Sequence, residues 1–179
     1  MEDVATCAGV SKGTLYLYFD GKESLFRAAI QESIVPILEE GADFVDTFEG
    51  SSGSLLRALM HGWSQQISNT PLVALTNLIV SESGNFPELA VYYYDAIILR
   101  GRSIIRRTLQ RGIAAGEFRD VDLETAIDVI LAPTLIMIIW NHSMGIGCGA
   151  ENNPDTYLQS HLELTLGGLS SRLPSPVPA

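Results

Sequence analysis

Residues 8–19 read AGVSKGTLYLYF and group Ser11, Lys12, Gly13, Thr14 and Tyr16 within six positions. A hydroxyl, an ammonium, a second hydroxyl and a phenol at the start of one short helix are donors suited to phosphate oxygens and base edges. Ser11 is placed to cap that helix, and the first N–H groups of a helix add to its affinity for anions. Gly13 lets the backbone approach a partner closely, and Tyr16 offers a hydroxyl on a rigid ring. Gly9 ends a preceding short helix, so the order is helix, glycine turn, helix: the layout of a helix-turn-helix that reads DNA. Taken alone, S-K-G-T-x-Y equally describes an ordinary solvated helix face. No other chemistry competes with it. Glu39 and Glu40 adjoin but point to different parts of a helix, and no nucleophile sits beside a base, so no enzyme is expected. His61, His142 and His161 are not at metal-ligand spacing, and Cys7 and Cys148 stand far apart. No metal or cofactor is expected.

The elements that must position these residues read as helices throughout, because apolar residues recur at three and four and period-two runs are missing. The pattern predicts helices over 2–8 and 11–19, with Val4, Ala5 and Ala8 on one inner face and Leu15, Tyr18 and Phe19 on another. A longer amphipathic helix is expected over 22–44, bent or broken at Pro36. After a loop at 50–53, helices are expected over 55–67, 71–83 and 87–115, the last stopped by Gly116. Its buried stripe is Ile97, Gly101, Ile104, Ile105, Thr108 and Gly112. Asp122 opens a helix to about Met144, a Gly- and Asn-rich loop covers 145–153, and a final helix runs over 154–173 before a frayed tail, PSPVPA. The fold class is all-α, divided into a DNA-binding segment with its connecting helix at 1–44 and a ligand-binding and dimerising bundle at 45–179.

Of the 179 residues, 46% are hydrophobic and 18% charged, which is ample for a core. A mean hydropathy of +0.20 points to surface buried against a partner subunit. The net charge of −10 weighs against DNA binding when read whole, but it is unevenly spread: −1 over residues 1–30 and −7 over 31–100. An acidic body coexists with a few placed phosphate donors, at the cost of long-range steering. The longest apolar run, Val129 to Trp140, is too short to span a bilayer and contains Pro133, so a buried helix is expected and no membrane partner. With no basic and apolar leader and no disulfide framework, a reduced cytoplasm is the expected location.

The first thirty residues, MEDVATCAGVSKGTLYLYFDGKESLFRAAI, resemble the DNA-binding segment of the TetR/AcrR family of bacterial transcriptional repressors. RGIAAGEFRD at 111–120 also looks like the end of a long helix in many members. The resemblance implies that Ser11, Lys12, Thr14 and Tyr16 contact phosphates or base edges, that Leu17 points into the major groove, and that Lys22 makes a phosphate contact at a helix start. It further implies a helix and a basic arm ahead of the position of Met1. The expectation is therefore an incomplete helix-turn-helix with an internal methionine at its start, and impaired DNA binding by the chain as it stands.

The same resemblance suggests an apolar cavity for a small effector. The candidates to line it are Met60, Trp63, Tyr93, Ile97, Met137 and Trp140, with Asn141 to orient the ligand. These side chains equally suit a plain core. The 129–140 helix is apolar on too many sides for a monomer, and the final helix carries the small residues Thr165, Gly167 and Gly168. A homodimer interface is expected over Ile130, Thr134, Ile138, Leu158, Leu162, Thr165 and Leu169, as a four-helix bundle. The resulting expectation is a homodimeric, ligand-responsive repressor on double-stranded DNA, with two recognition helices in successive major grooves of a palindromic operator. The alternative is a dimeric helical protein that binds small molecules and has a truncated, non-functional DNA-binding head.

Overall fold

The computed structural model describes residues 1–68, 75, 78, 79, 81, 84–139 and 153–171. The described elements are α1 (Glu2–Cys7), α2 (Lys12–Tyr18), α3 (Lys22–Ser33), α4 (Val35–Thr47), α5 (Ser52–Ser68), α6 (Pro87–Tyr93), a π-helical turn (Tyr94–Ile98), α7 (Leu99–Ala114), α8 (Leu123–Ile139) and α9 (Pro154–Leu169). Residues 75, 78, 79 and 81 are helical as well, within the segment where a helix over 71–83 is expected.

Local chemistry explains the ends. Gly9 and Gly116 adopt φ of 68° and 70°, which side chains with a Cβ rarely tolerate, and so turn the chain out of α1 and α7. The Val10 N–H donates to the Ala5 carbonyl at 3.0 Å and the Glu117 N–H to the Gly112 carbonyl at 2.9 Å, closing each helix end. Pro36 breaks the expected 22–44 helix rather than bending it: α3 stops at Ser33, and Pro36 falls in the first turn of α4, where its missing N–H costs nothing. Glu117 accepts from the Ser52 N–H at 2.7 Å, so the start of α5 is capped by a residue 65 positions away.

Two apolar clusters hold the body. The first joins Phe26 and Ile30 of α3 to Leu38 and Val45 of α4, Leu55 and Leu59 of α5, Tyr93 and Ile104. The second joins Leu56 and Met60 of α5 to Ile105 and Leu109 of α7, Ile127 and Ile130 of α8, and Leu158 and Leu162 of α9. Trp63 packs against both. The loop after α7 is fastened to the end of α9 by the Arg119 N–H on the Leu169 carbonyl and the Ser171 N–H on the Glu117 carbonyl. In α7 the inward stripe is Ile104, Ile105, Thr108, Leu109 and Gly112. Ile97 and Gly101 are only partly buried. Among the described residues, no helix is long and apolar enough to cross a membrane.

Candidate nucleic-acid interface and apolar cavity

Ser11 stands in extended backbone ahead of α2 and accepts from the Thr14 N–H at 3.0 Å, while its Oγ lies 2.7 Å from the Thr14 hydroxyl. This cap presets the start of α2. Leu15 is the buried residue of α2, so the remaining side chains of this short helix are directed outward. Leu17 is 83% exposed, and Lys12, Gly13, Thr14 and Tyr16 are exposed too. Lys12 reaches Glu2 at 3.4 Å, a surface ion pair of little energy that a phosphate could readily replace. Lys22 stands in the first turn of α3, where the Gly21 N–H and carbonyl both engage the Ser24 hydroxyl. The expected DNA-facing residues thus lie together along the chain, on α2 and at the start of α3.

Tyr18 corrects the sequence reading: it is 78% exposed rather than turned inward, and Val4 is also exposed. The reason is length. Only two turns separate Ser11 from Phe19, and Leu15 is the buried side chain of α2, so Tyr18 at its end stays in solvent.

α4 carries this head onto the body, with only Ile34 between it and α3. Arginines of α7 hold it there. Arg100 pairs with Glu39 at 3.4 Å, Arg107 with Asp46, and Arg111 donates to the carbonyls of Phe48 and Gly50 at 3.0 and 2.6 Å. Arg27 of α3 lies 4.5 Å from the centre of the Tyr92 ring, tying α3 to α6.

Behind α4 lies a cavity of about 330 Å³, within the range of small-molecule sites. Trp63, Tyr93 and Ile97 line it, together with Ile34, Ile37 and Leu38 from the α3–α4 junction, Ile98 and Gly101, and Leu131, Ala132 and Leu135 from α8. Arg102 and Asp128 complete the wall. The π turn sets Ile97 and Ile98 into the wall together, one turn after Tyr93; such turns recur at functional sites. Arg102 engages Asp128 and, at 2.8 Å, Glu124; Glu124 is also held by Arg106 at 2.6 Å. Hydrogen bonds from Arg102 and then Arg106 hold the Glu124 carboxyl below its ordinary value, and the Glu124 and Asp128 bonds raise the Arg102 guanidinium.

Met60 is a correction. It is fully buried in the second cluster and absent from the cavity wall, because α5 turns it toward α7 and α9. Met137 is buried but does not line the cavity either. Trp140 and Asn141 lie outside the described residues, as does the side chain of Ile138. Arg102 and Asp128 were missed by sequence reasoning. Their spacing carries no signal, since they meet across two helices 26 residues apart.

Ile130, Leu158, Leu162 and Leu169 were expected at a subunit interface. They are packed inside one chain instead, against Leu56, Met60 and Leu109. Helical periodicity marks an apolar stripe but not its partner, and here α5 and α7 occupy it. Thr134 is buried too, and Thr165 is half-buried with its hydroxyl 3.4 Å from His161 Nδ1. The outward faces of α8 and α9 nevertheless expose Val129, Ile136 and Leu164.

Comparison with known proteins gives two family matches. Residues 1–29 match the model of bacterial regulatory proteins, tetR family, and residues 49–144 match the tetracyclin repressor-like C-terminal domain. The chain is 22% identical over 177 residues to the HTH-type transcriptional repressor KstR2 of Rhodococcus jostii (strain RHA1), covering 96% of this chain and 81% of that protein. Similar solved structures include the fatty acid degradation regulator FadR from Bacillus halodurans, with a TM-score of 0.76 at 21% identity over 94% of this chain and 87% of that one. Another is the transcriptional regulator FadR from Bacillus subtilis in complex with stearoyl-CoA, with a TM-score of 0.75 at 22% identity over 93% and 86%.

Proposed function

Because the chain belongs to the TetR family of bacterial transcription regulators, and so is a DNA-binding regulator rather than an enzyme, we propose that it is a homodimeric repressor released from a palindromic operator by a small apolar effector. Lys12, Gly13, Thr14, Tyr16 and Leu17 of α2, with Ser11 at its cap and Lys22 beyond it, would face the DNA. The exposed apolar side chains Val129, Ile136 and Leu164 would meet a second copy. Two recognition helices held by one dimer would then enter successive major grooves.

One observation carries the response to a ligand. Ile37 and Leu38, in the cavity wall, belong to α4, which Ile34 joins to α3, the helix that follows α2 and carries Lys22 at its start. An occupant of the cavity therefore presses on the element that sets the position of the head. FadR from B. subtilis holds stearoyl-CoA, which favours an acyl-like effector here also. A near-complete switch needs the two states to differ in effector affinity by about 5.5 kcal/mol.

The test is fluorescence anisotropy with DNA flanking the protein's own coding region and with a randomised pool. Binding of a selected palindrome at two protomers per site, reversed by an acyl effector, is expected. Effector binding with no sequence enriched from the pool would instead support a helical small-molecule binder without a working head.

A further inference from the structure

Resting on that reading of the cavity, we infer that its ligand is an amphipathic anion: an apolar tail among Ile37, Leu38, Trp63 and Leu131, and a carboxylate head on Arg102 in the place of Asp128. Among the described residues, Arg102 and Asp128 are the charged members of an otherwise apolar wall. They differ in burial. The Arg102 side chain is 16% exposed and that of Asp128 is 63% exposed. Asp128 can rotate into water at little cost, whereas Arg102 stays in place because Glu124 holds it from the other side at 2.8 Å.

Charge selects the head group. With Asp128 turned out, Arg102 and Arg106 share the single carboxylate of Glu124, and the cluster is left with one positive charge. An incoming carboxylate neutralises it and takes the Nη1 that Asp128 gives up, in a charge-assisted hydrogen bond, while Nη2 stays on Glu124. A cationic head would have to draw Asp128 off and then sit beside that uncompensated charge. A neutral head would leave the existing ion pair intact and gain only its tail contacts.

The experiment is calorimetric titration of the full chain with dodecanoate, dodecanol, dodecylammonium and dodecanoyl-CoA. Dodecanoate should bind more tightly than dodecanol, and dodecylammonium most weakly. Arg102→Gln should weaken dodecanoate about tenfold or more while leaving dodecanol unchanged. Asp128→Asn, which removes the competing carboxylate and leaves the core untouched, should tighten dodecanoate several-fold. Equal binding of dodecanoate and dodecanol, or no gain in the Asp128→Asn variant, overturns the head-group assignment and leaves the apolar effector standing. Tighter binding of dodecanoyl-CoA than of dodecanoate, unmoved by Arg102→Gln, overturns it likewise. Failure of all four to bind overturns the effector reading and this inference together.

Discussion

The head and the body of this molecule are built on opposite terms. α1 and α2 bury one side chain each, Ala5 and Leu15, and leave the remainder of their surfaces outward. α5 alone sends Leu55 and Leu59 into one cluster and Leu56 and Met60 into another. The head is defined by what it exposes, the body by what it encloses. Substitutions should therefore separate into those that alter recognition at little cost in stability and those that alter stability first. The seam between the two regions is α4, gripped by Arg100, Arg107 and Arg111 of α7.

The sharpest test sets Leu162 against Leu17. Leu162 is fully buried in the second cluster, and Leu162→Ala should cost about 2–5 kcal/mol in denaturant unfolding. Leu17→Ala, at a well-solvated position, should stay within about 0.5 kcal/mol while changing which DNA sequences are bound. A large stability loss from Leu17→Ala would break the distinction. A smaller effect is expected at the cap of α2. Ser11→Ala removes the oxygen that receives the Thr14 N–H, worth about 1 kcal/mol. Hydrogen exchange should then quicken across α2 with the body's protection unchanged; faster exchange in α7 as well would mean that head and body open as one unit.

The smallest effect concerns pH. Glu124, ordinarily near 4.5, is held lower by Arg102 and Arg106. Its contribution is complete above the unfolded value and is lost as pH falls through the lower folded one. The carboxylate is exposed, so the effect is slight. The melting temperature should fall below about pH 4.5, and Glu124→Gln should flatten that part of the curve. An unchanged slope in the variant would remove Glu124 from the account.

Much of the helix pattern was legible because each device is local. Ser11 as a cap, Gly9 and Gly116 as stops and Pro36 as a break act on their immediate neighbours in the chain. The exposed donors of α2 were legible for the same reason, lying within one short stretch. The cavity was half legible: Trp63, Tyr93 and Ile97 sit on apolar faces that sequence reveals, while Met60 shares that appearance and packs elsewhere. What separates them is the rotation of α5 between two clusters, a property of several helices at once. The π turn after Tyr93 likewise leaves no mark in periodicity, although it shifts the phase of α7 relative to α6.

Sequence by itself determined the helical class, the helix ends and the chemistry offered by residues 11–22, since these depend on neighbours along the chain. Tertiary structure decided which apolar stripes face inward and which remain open. It turned Ile130, Leu158 and Leu162 into one chain's core, and it brought Arg102 to Asp128 across 26 positions. Burial and ion pairing are relations between elements distant in sequence, and only their packing in three dimensions selects among the partners that periodicity allows.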